Sequence, residues 1–168
     1  MHHSLIIFLG LIVLTGFGCG QTVTEKLTEN AINQQLDGQG SVNLDNNQIT
    51  FTDDENQTTF SMGEDIKLPT NFPAALPVYE PGELRSVSVN TGEDQNAYVL
   101  IYTQDDQVKV MAWYQERLIA TGWTASGNFN LQGTSTTLWE KADQNITVST
   151  TAAEEKPFKT AITAVLAE

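Results

Sequence analysis

Apolar and polar positions alternate through "SVNLDNNQITFTDDENQTTFSM", with Val42 and Leu44, then Ile49 and Phe51, then Phe60 and Met62. Turn-forming clusters, "DNN" and "DDEN", separate the three pairs. Period-two alternation between such clusters predicts a three-stranded antiparallel meander with one apolar face. Upstream the period changes. Thr22 and Glu25 have capping-box spacing, and Val23, Leu27, Ala31 and Leu36 form a thin apolar stripe, so a helix over 23–36 is expected, stopped by Gly38 and Gly40. Its polar majority predicts a half-buried element or a stalk.

Downstream, residues 63–83 hold Pro69, Pro73, Pro77 and Pro81 of the chain's five prolines. Proline fixes φ and removes a backbone donor, which predicts extended chain outside any sheet ladder. Leu68, Phe72, Leu76, Val78 and Tyr79 are interleaved with the prolines, so the segment is expected to lie as a strap across a core. A second reading makes it a proline-rich ligand for a partner's aromatic groove.

The last half alternates again. "ELRSVSVN" and "NAYVLIYT" predict two strands about the turn "TGEDQ". "DDQVKVMAWYQERLIATGW" predicts a helix capped by Asp105 or Asp106 and stopped by Gly122, with Val108, Met111, Ala112, Gln115, Leu118 and Ile119 on one face. Strands are expected at 123–128, 137–142 and 145–151, and "KTAITAVLAE" reads as a final edge strand. The expected fold class is therefore α+β, an antiparallel sheet with one helix packed on it, preceded by a helix plus the three-stranded meander. The expected organisation is 1–18 signal, 19–40 polar helix or stalk, 41–62 meander, 63–83 strap and 84–168 α+β domain.

The start of the chain is of another kind. An uncharged apolar run from Leu5 to Gly18 precedes Cys19, the single cysteine. The run is shorter than the ~20 residues that span a bilayer and fits the apolar core of a secretory signal. Small residues followed by Cys resemble a bacterial lipoprotein signal, although Gly16 stands where Leu is usual and no Lys or Arg precedes the run. The resemblance implies cleavage before Cys19 and lipid attachment at Cys19 through palmitate-like acyl chains. The protein would then sit at the cell envelope, membrane-anchored and facing the extracytoplasmic side. An uncleaved anchor and ordinary secretion are the alternatives. Residues 67–123, with "LPTNFPAALPVYEPGE" and "WYQERLIATGW", are similar to uncharacterised bacterial exported lipoproteins, a likeness that implies no activity.

Charge and chemistry narrow the function classes. Eight Lys and Arg against 21 Asp and Glu give a net charge of −13, and all of them follow Cys19. Such a balance disfavours nucleic acid, whose phosphates need clustered cations. Both histidines, His2 and His3, lie in the signal, so the remainder lacks the residues of Ser–His–Asp and Cys–His catalysis and of most zinc sites. No catalytic residue, cofactor or metal ligand is expected. Asp53, Asp54 and Glu55 read as a solvated turn, with weak calcium binding as a minor alternative. Trp113, Tyr114, Phe72 and Tyr79 are the candidate binding surface, and Trp123 and Trp139 are read with Trp113 and Tyr114 as able to line a sugar or peptidoglycan-binding face, set against the ordinary use of such aromatics in a core. The expected function is a non-enzymatic envelope module binding a protein or glycan partner. The alternatives are a small carboxylate-dependent hydrolase acting on envelope glycans and a purely structural envelope protein.

Overall fold

The computed structural model describes residues 21–35, 40–45, 48–53, 57–92 and 95–167. Cys19, the apolar run before it, and Asp54 and Glu55 of the acidic turn lie outside the described residues. In chain order the elements are α1 (Gln21–Gln35), β1 (Ser41–Asp45), β2 (Gln48–Asp53), β3 (Thr58–Gly63), β4 (Glu83–Asn90), β5 (Asn96–Thr103), α2 (Gln107–Ala120), β6 (Thr124–Leu131), β7 (Thr134–Lys141), β8 (Gln144–Ala152) and β9 (Thr160–Ala167). No helix among the described residues is long and apolar enough to cross a membrane.

The strands make one antiparallel sheet of nine, in the order β1-β2-β3-β4-β5-β9-β8-β7-β6. This corrects the expected fold class. The meander does not precede a smaller sheet under one helix; β3 pairs with β4 from Thr58↔Asn90 to Met62↔Ser86 and joins everything into one layer. Nor is the last strand an edge. β9 lies between β5 and β8, paired along its full length with both. Its sequence could not show this, because alternation reports faces and not lateral neighbours: β9 buries Thr160, Ile162, Ala164 and Leu166 and half-buries the residues between them.

Partners directly opposite in an antiparallel pair share a face, so one row of the register can be followed across the sheet. On the front face the row Thr137, Val148, Ala164, Val99 and Val87 continues into the meander as Ser61, Thr50 and Asn43. On the back face the row Leu138, Thr147, Val165, Tyr98 and Ser88 continues as Phe60, Phe51 and Val42. The apolar side of the sheet thus changes between β4 and β3.

The front of β4–β9 carries the core. Val87, Val99, Ile101, Ile146, Val148 and Ile162 are fully buried there beneath α2 and the strap. Leu76 and Tyr79 of the strap are buried, and Phe72, Ala75 and Val78 pack against the same cluster. The strap's prolines therefore lie over apolar groups, with short turns such as Phe72 N–H to the Pro69 carbonyl (3.0 Å) supplying the hydrogen bonds that a ladder would have given.

Helix α2 is capped by Asp106, whose Oδ1 accepts the Lys109 N–H at 2.8 Å. It ends at Thr121, and Gly122 follows with φ +85°, the left-handed conformation that glycine adopts without steric cost. The face presented to the sheet is Val110, Tyr114 and Leu118, at spacings of four. The expected face needs correction: Val108 and Ile119 are exposed, as are Ala112 and Gln115. The i, i+3, i+4 pattern admitted both stripes, and burial of the large Tyr114 ring selects the other.

Helix α1 packs against β1. Its expected apolar stripe is not its buried side, since Leu27 and Ala31 are exposed and Glu29, Ile32 and Asn33 are half-buried.

Candidate functional site

The aromatics nominated from sequence come together, but inside the protein. Tyr79 and Tyr114 are almost completely buried, with centroids 6.4 Å apart and stacked rings. Trp113 meets Tyr79 edge-on at 5.1 Å and Tyr114 edge-on at 4.9 Å. Phe72, half-buried, packs against the same core from the strap. Tyr79 and Tyr114 accordingly form core where a binding surface was expected. Trp113 keeps one side open and carries the Arg117 guanidinium 5.2 Å from its centroid.

The helix-cap carboxylates are equally committed. Asp105 Oδ2 accepts the Tyr79 hydroxyl at 2.6 Å and its Oδ1 meets Lys109 Nζ at 2.8 Å. Lys109, and after it Tyr79, holds the Asp105 carboxyl below its ordinary range by bonding to the charged form. Burial, reinforced by Asp105, pushes the Tyr79 hydroxyl up to about 12. Thr160 Oγ1 donates to the Asp105 carbonyl at 2.8 Å, so strap, helix N-terminus and β9 are fastened at one point. This is a structural clamp. Arg85 forms a second knot on the surface, paired with Glu64, Glu83 and Glu155 at 3.5, 3.5 and 3.1 Å and lying over Tyr102 and Phe158. No group of His, Cys, Asp and Glu able to hold a metal ion occurs among the described residues.

The space in this protein is elsewhere. A groove of about 590 Å³ runs between the C-terminal half of α2 and the front of β6 and β7. Met111, Gln115 and Ile119 form its helical wall, Trp123 its end, and Thr124–Asn128, Ser135, Thr137 and Trp139 its floor. It exists because α2 crosses the sheet over β8 and turns back at Gly122, leaving the outer two strands without a helix above them. Trp123 N–H donates to the Leu118 carbonyl at 3.0 Å, and Lys141 Nζ to the Thr121 carbonyl at 2.8 Å, which together fix that turn.

Two properties define what the groove can accept. Its lining has no charged side chain, in a chain of net charge −13. Trp139, one of its lining residues, is 3% exposed, and its indole Nε1 is buried without a hydrogen-bond partner. A buried donor left unpaired costs about 1–3 kcal/mol.

Residues 84–157 match the family model described as START domain-like. The matched segment is less than half of the chain and runs from β4 to just beyond β8. Every residue lining the groove falls inside it, while α1, the meander and β9 fall outside. No curated protein and no solved structure matches the chain.

Of the aromatics read from sequence as able to line a binding face, Trp123 and Trp139 border this groove, while Trp113 and Tyr114 do not. Sequence reasoning passed over the rest of the groove, because Thr, Ala, Ser, Gly and Asn carry no motif or reactive group.

Proposed function

We propose that the protein is a binding module, anchored through Cys19 at the extracytoplasmic side of a membrane, that seats an uncharged amphipathic ligand in the groove between α2 and β6–β7. The observation that carries the seat is the charge-free groove, with Met111, Ile119, Trp123 and Trp139 in its lining. Met111, Ile119 and Trp123 offer apolar contact to one part of such a ligand. Gln115, Ser126, Asn128 and Thr137 offer hydrogen bonds to another. Pockets for small molecules are commonly built this way, from apolar walls and a few polar groups that fix orientation. The START domain-like match over the same residues favours a ligand-binding role. Binding is favoured over catalysis because neither His nor Cys occurs after Cys19 and no carboxylate lines the groove.

Trp123 and Trp139 make the test direct. Titration with N-phenyl-1-naphthylamine, an uncharged apolar probe, is expected to give saturable energy transfer from tryptophan. Ile119→Asp, at an exposed position, is expected to weaken that binding at least tenfold. Unchanged binding in Ile119→Asp would remove the groove as the seat. The anchor has its own test, incorporation of labelled palmitate, expected in the native chain and lost in Cys19→Ala.

A further inference from the structure

The two ends of the sheet are finished differently. At the β1 end a side chain takes the place of a tenth strand. Asn33 Oδ1 accepts the Val42 N–H at 2.6 Å, Asn33 Nδ2 donates to the Val42 carbonyl at 3.0 Å, and the next outward N–H, of Leu44, reaches Glu29 Oε2 at 3.4 Å. At the other end β6 pairs with β7 on one side and, among the described residues, with nothing on the other.

Open edges are ordinarily blunted by Lys, Pro, inward charges or brevity. Strand β6 is eight residues, "TASGNFNL", without Lys, Pro or any charge. Its one irregularity is the register shift between Ala125 and Gly127, which leaves Asn128–Leu131 regular against Thr134–Thr137. All of β6 is exposed except Gly127, and Phe129 and Leu131, both on the back face, are 57% and 72% exposed. A Cβ on Gly127 would lie 3.1 Å from Phe129 Cε2, so that ring rests on the glycine and keeps an apolar strip along the edge.

We infer that β6 is a docking edge that takes an extended segment of a partner protein as a tenth strand, the segment being uncharged or basic with apolar residues at alternate positions. The occupant follows from the chemistry of the edge. A row of outward backbone donors and acceptors at strand spacing is matched along its length only by another extended polypeptide. Phe129 and Leu131 ask for apolar side chains at alternate positions on the back, and Asn128 and Asn130 ask for polar ones on the front. The charge of −13 on the chain favours a neutral or basic segment. A second copy would bring −13 against −13, a repulsion that a neutral or basic segment does not meet. The inference stands apart from the groove, because the hydrogen bonds it needs lie in the plane of the sheet.

The test uses the full chain, isotope-labelled, in mild detergent, and reads amide hydrogen exchange. The probe is a synthetic octapeptide of alternating Thr and Leu with Lys at each end. Exchange at residues 128–131 is expected to slow at least tenfold with the peptide and to stay unchanged with a version carrying Pro at alternate positions. Phe129→Lys, at an exposed site, is expected to abolish the protection with tryptophan fluorescence unaltered, and Ile119→Asp to leave it intact. No slowing at millimolar peptide would overturn the inference. Equal loss in Ile119→Asp would overturn it in favour of the groove. Protection that rises with protein concentration before any peptide is added would overturn it in favour of a second copy.

Discussion

The meander with α1 and the strands with α2 belong to one sheet, yet they are stabilised in different ways. In β4–β9 the apolar rows face α2 and the strap, and Val87, Val99, Val148 and Ile162 are completely buried. In β1–β3 the apolar positions point to the other side. Val42, Leu44, Phe51 and Phe60 are half-buried there, and Ile49 and Met62 are exposed at 43% and 45%. Thr50 and Ser61, which hold the front of the meander, share a hydroxyl hydrogen bond of 3.1 Å. Both regions pair their strands in the same ladder, but only one of them removes much apolar surface from water. Since burial is the dominant favourable contribution to folding, the α2 region should set global stability while the meander opens locally at lower cost.

The largest expected effect breaks the well-packed side. Leu118→Ala, which leaves a void between α2 and the sheet, is expected to cost about 2–5 kcal/mol, against about 1 kcal/mol for Phe60→Ala in the half-exposed meander. Urea unfolding of both variants checks this. Comparable losses would mean that the meander is as tightly packed as the α2 region, and the contrast would fail.

Next is Gly82→Ala, at the end of the strap. A Cβ there would run into the Ile101 side chain and approach the Tyr102 carbonyl at 3.1 Å. Neither neighbour can withdraw cheaply, since Ile101 is fully buried and Tyr102 is held in the ladder. A loss of about 1–3 kcal/mol is expected from such overpacking, with faster amide exchange in β4 and β5 and little change in β1 and β2. The strap would then count as part of the core and not as a tether.

How much of this was readable beforehand depends on what alternation can encode. It located the strands of the meander and of the second half, and the Asp-Asp pair located the start of α2. Alternation states which residues share a face but not which side of a sheet that face lies on. The reversal between Val87 and Ser61 on one row, and Ser88 and Phe60 on the next, is set by the β3–β4 register alone. The same limit hid the candidate site. Tyr79, Trp113 and Tyr114 stood out because they are large, and they are large because they fill the interior. Beside Trp123 and Trp139, the floor of the groove is made of small residues that mark where packing stops.

Acidity and alkalinity should act chiefly on the β4–β9 region, most directly through the clamp of Tyr79 and Asp105. The Tyr79 hydroxyl is raised to about 12, so the folded chain keeps a proton that the unfolded chain releases near 10. Stability is intact below pH 10 and falls as pH rises towards 12. Asp105 is lowered, so its contribution is complete above its ordinary value and is lost as pH falls through the folded one. Tyr79→Phe is expected to cost about 1 kcal/mol at neutral pH, the worth of one hydrogen bond. It should also shrink the alkaline loss without abolishing it, because Tyr114 and Tyr98 are raised as well. Unfolding measured from pH 3 to 11.5, with exchange read separately in β1–β3, checks both points; an equal pH response in the meander would contradict the division.

The smallest effect probes the meander's own edge. Asn33→Ala removes both side-chain hydrogen bonds to Val42, but the freed N–H and carbonyl are only part-buried and can turn to water. The loss should therefore stay near 0.5–1 kcal/mol and be confined to exchange at β1 and β2, with the unfolding of the α2 region unchanged. The Leu44 N–H keeps its bond to Glu29 Oε2 and α1 stays packed on β1, so the edge remains covered and Asn33→Ala is expected to sediment as the native chain does. Faster exchange in β4–β9 as well, or self-association of the variant, would mean that Asn33 does more than fasten one end of the sheet.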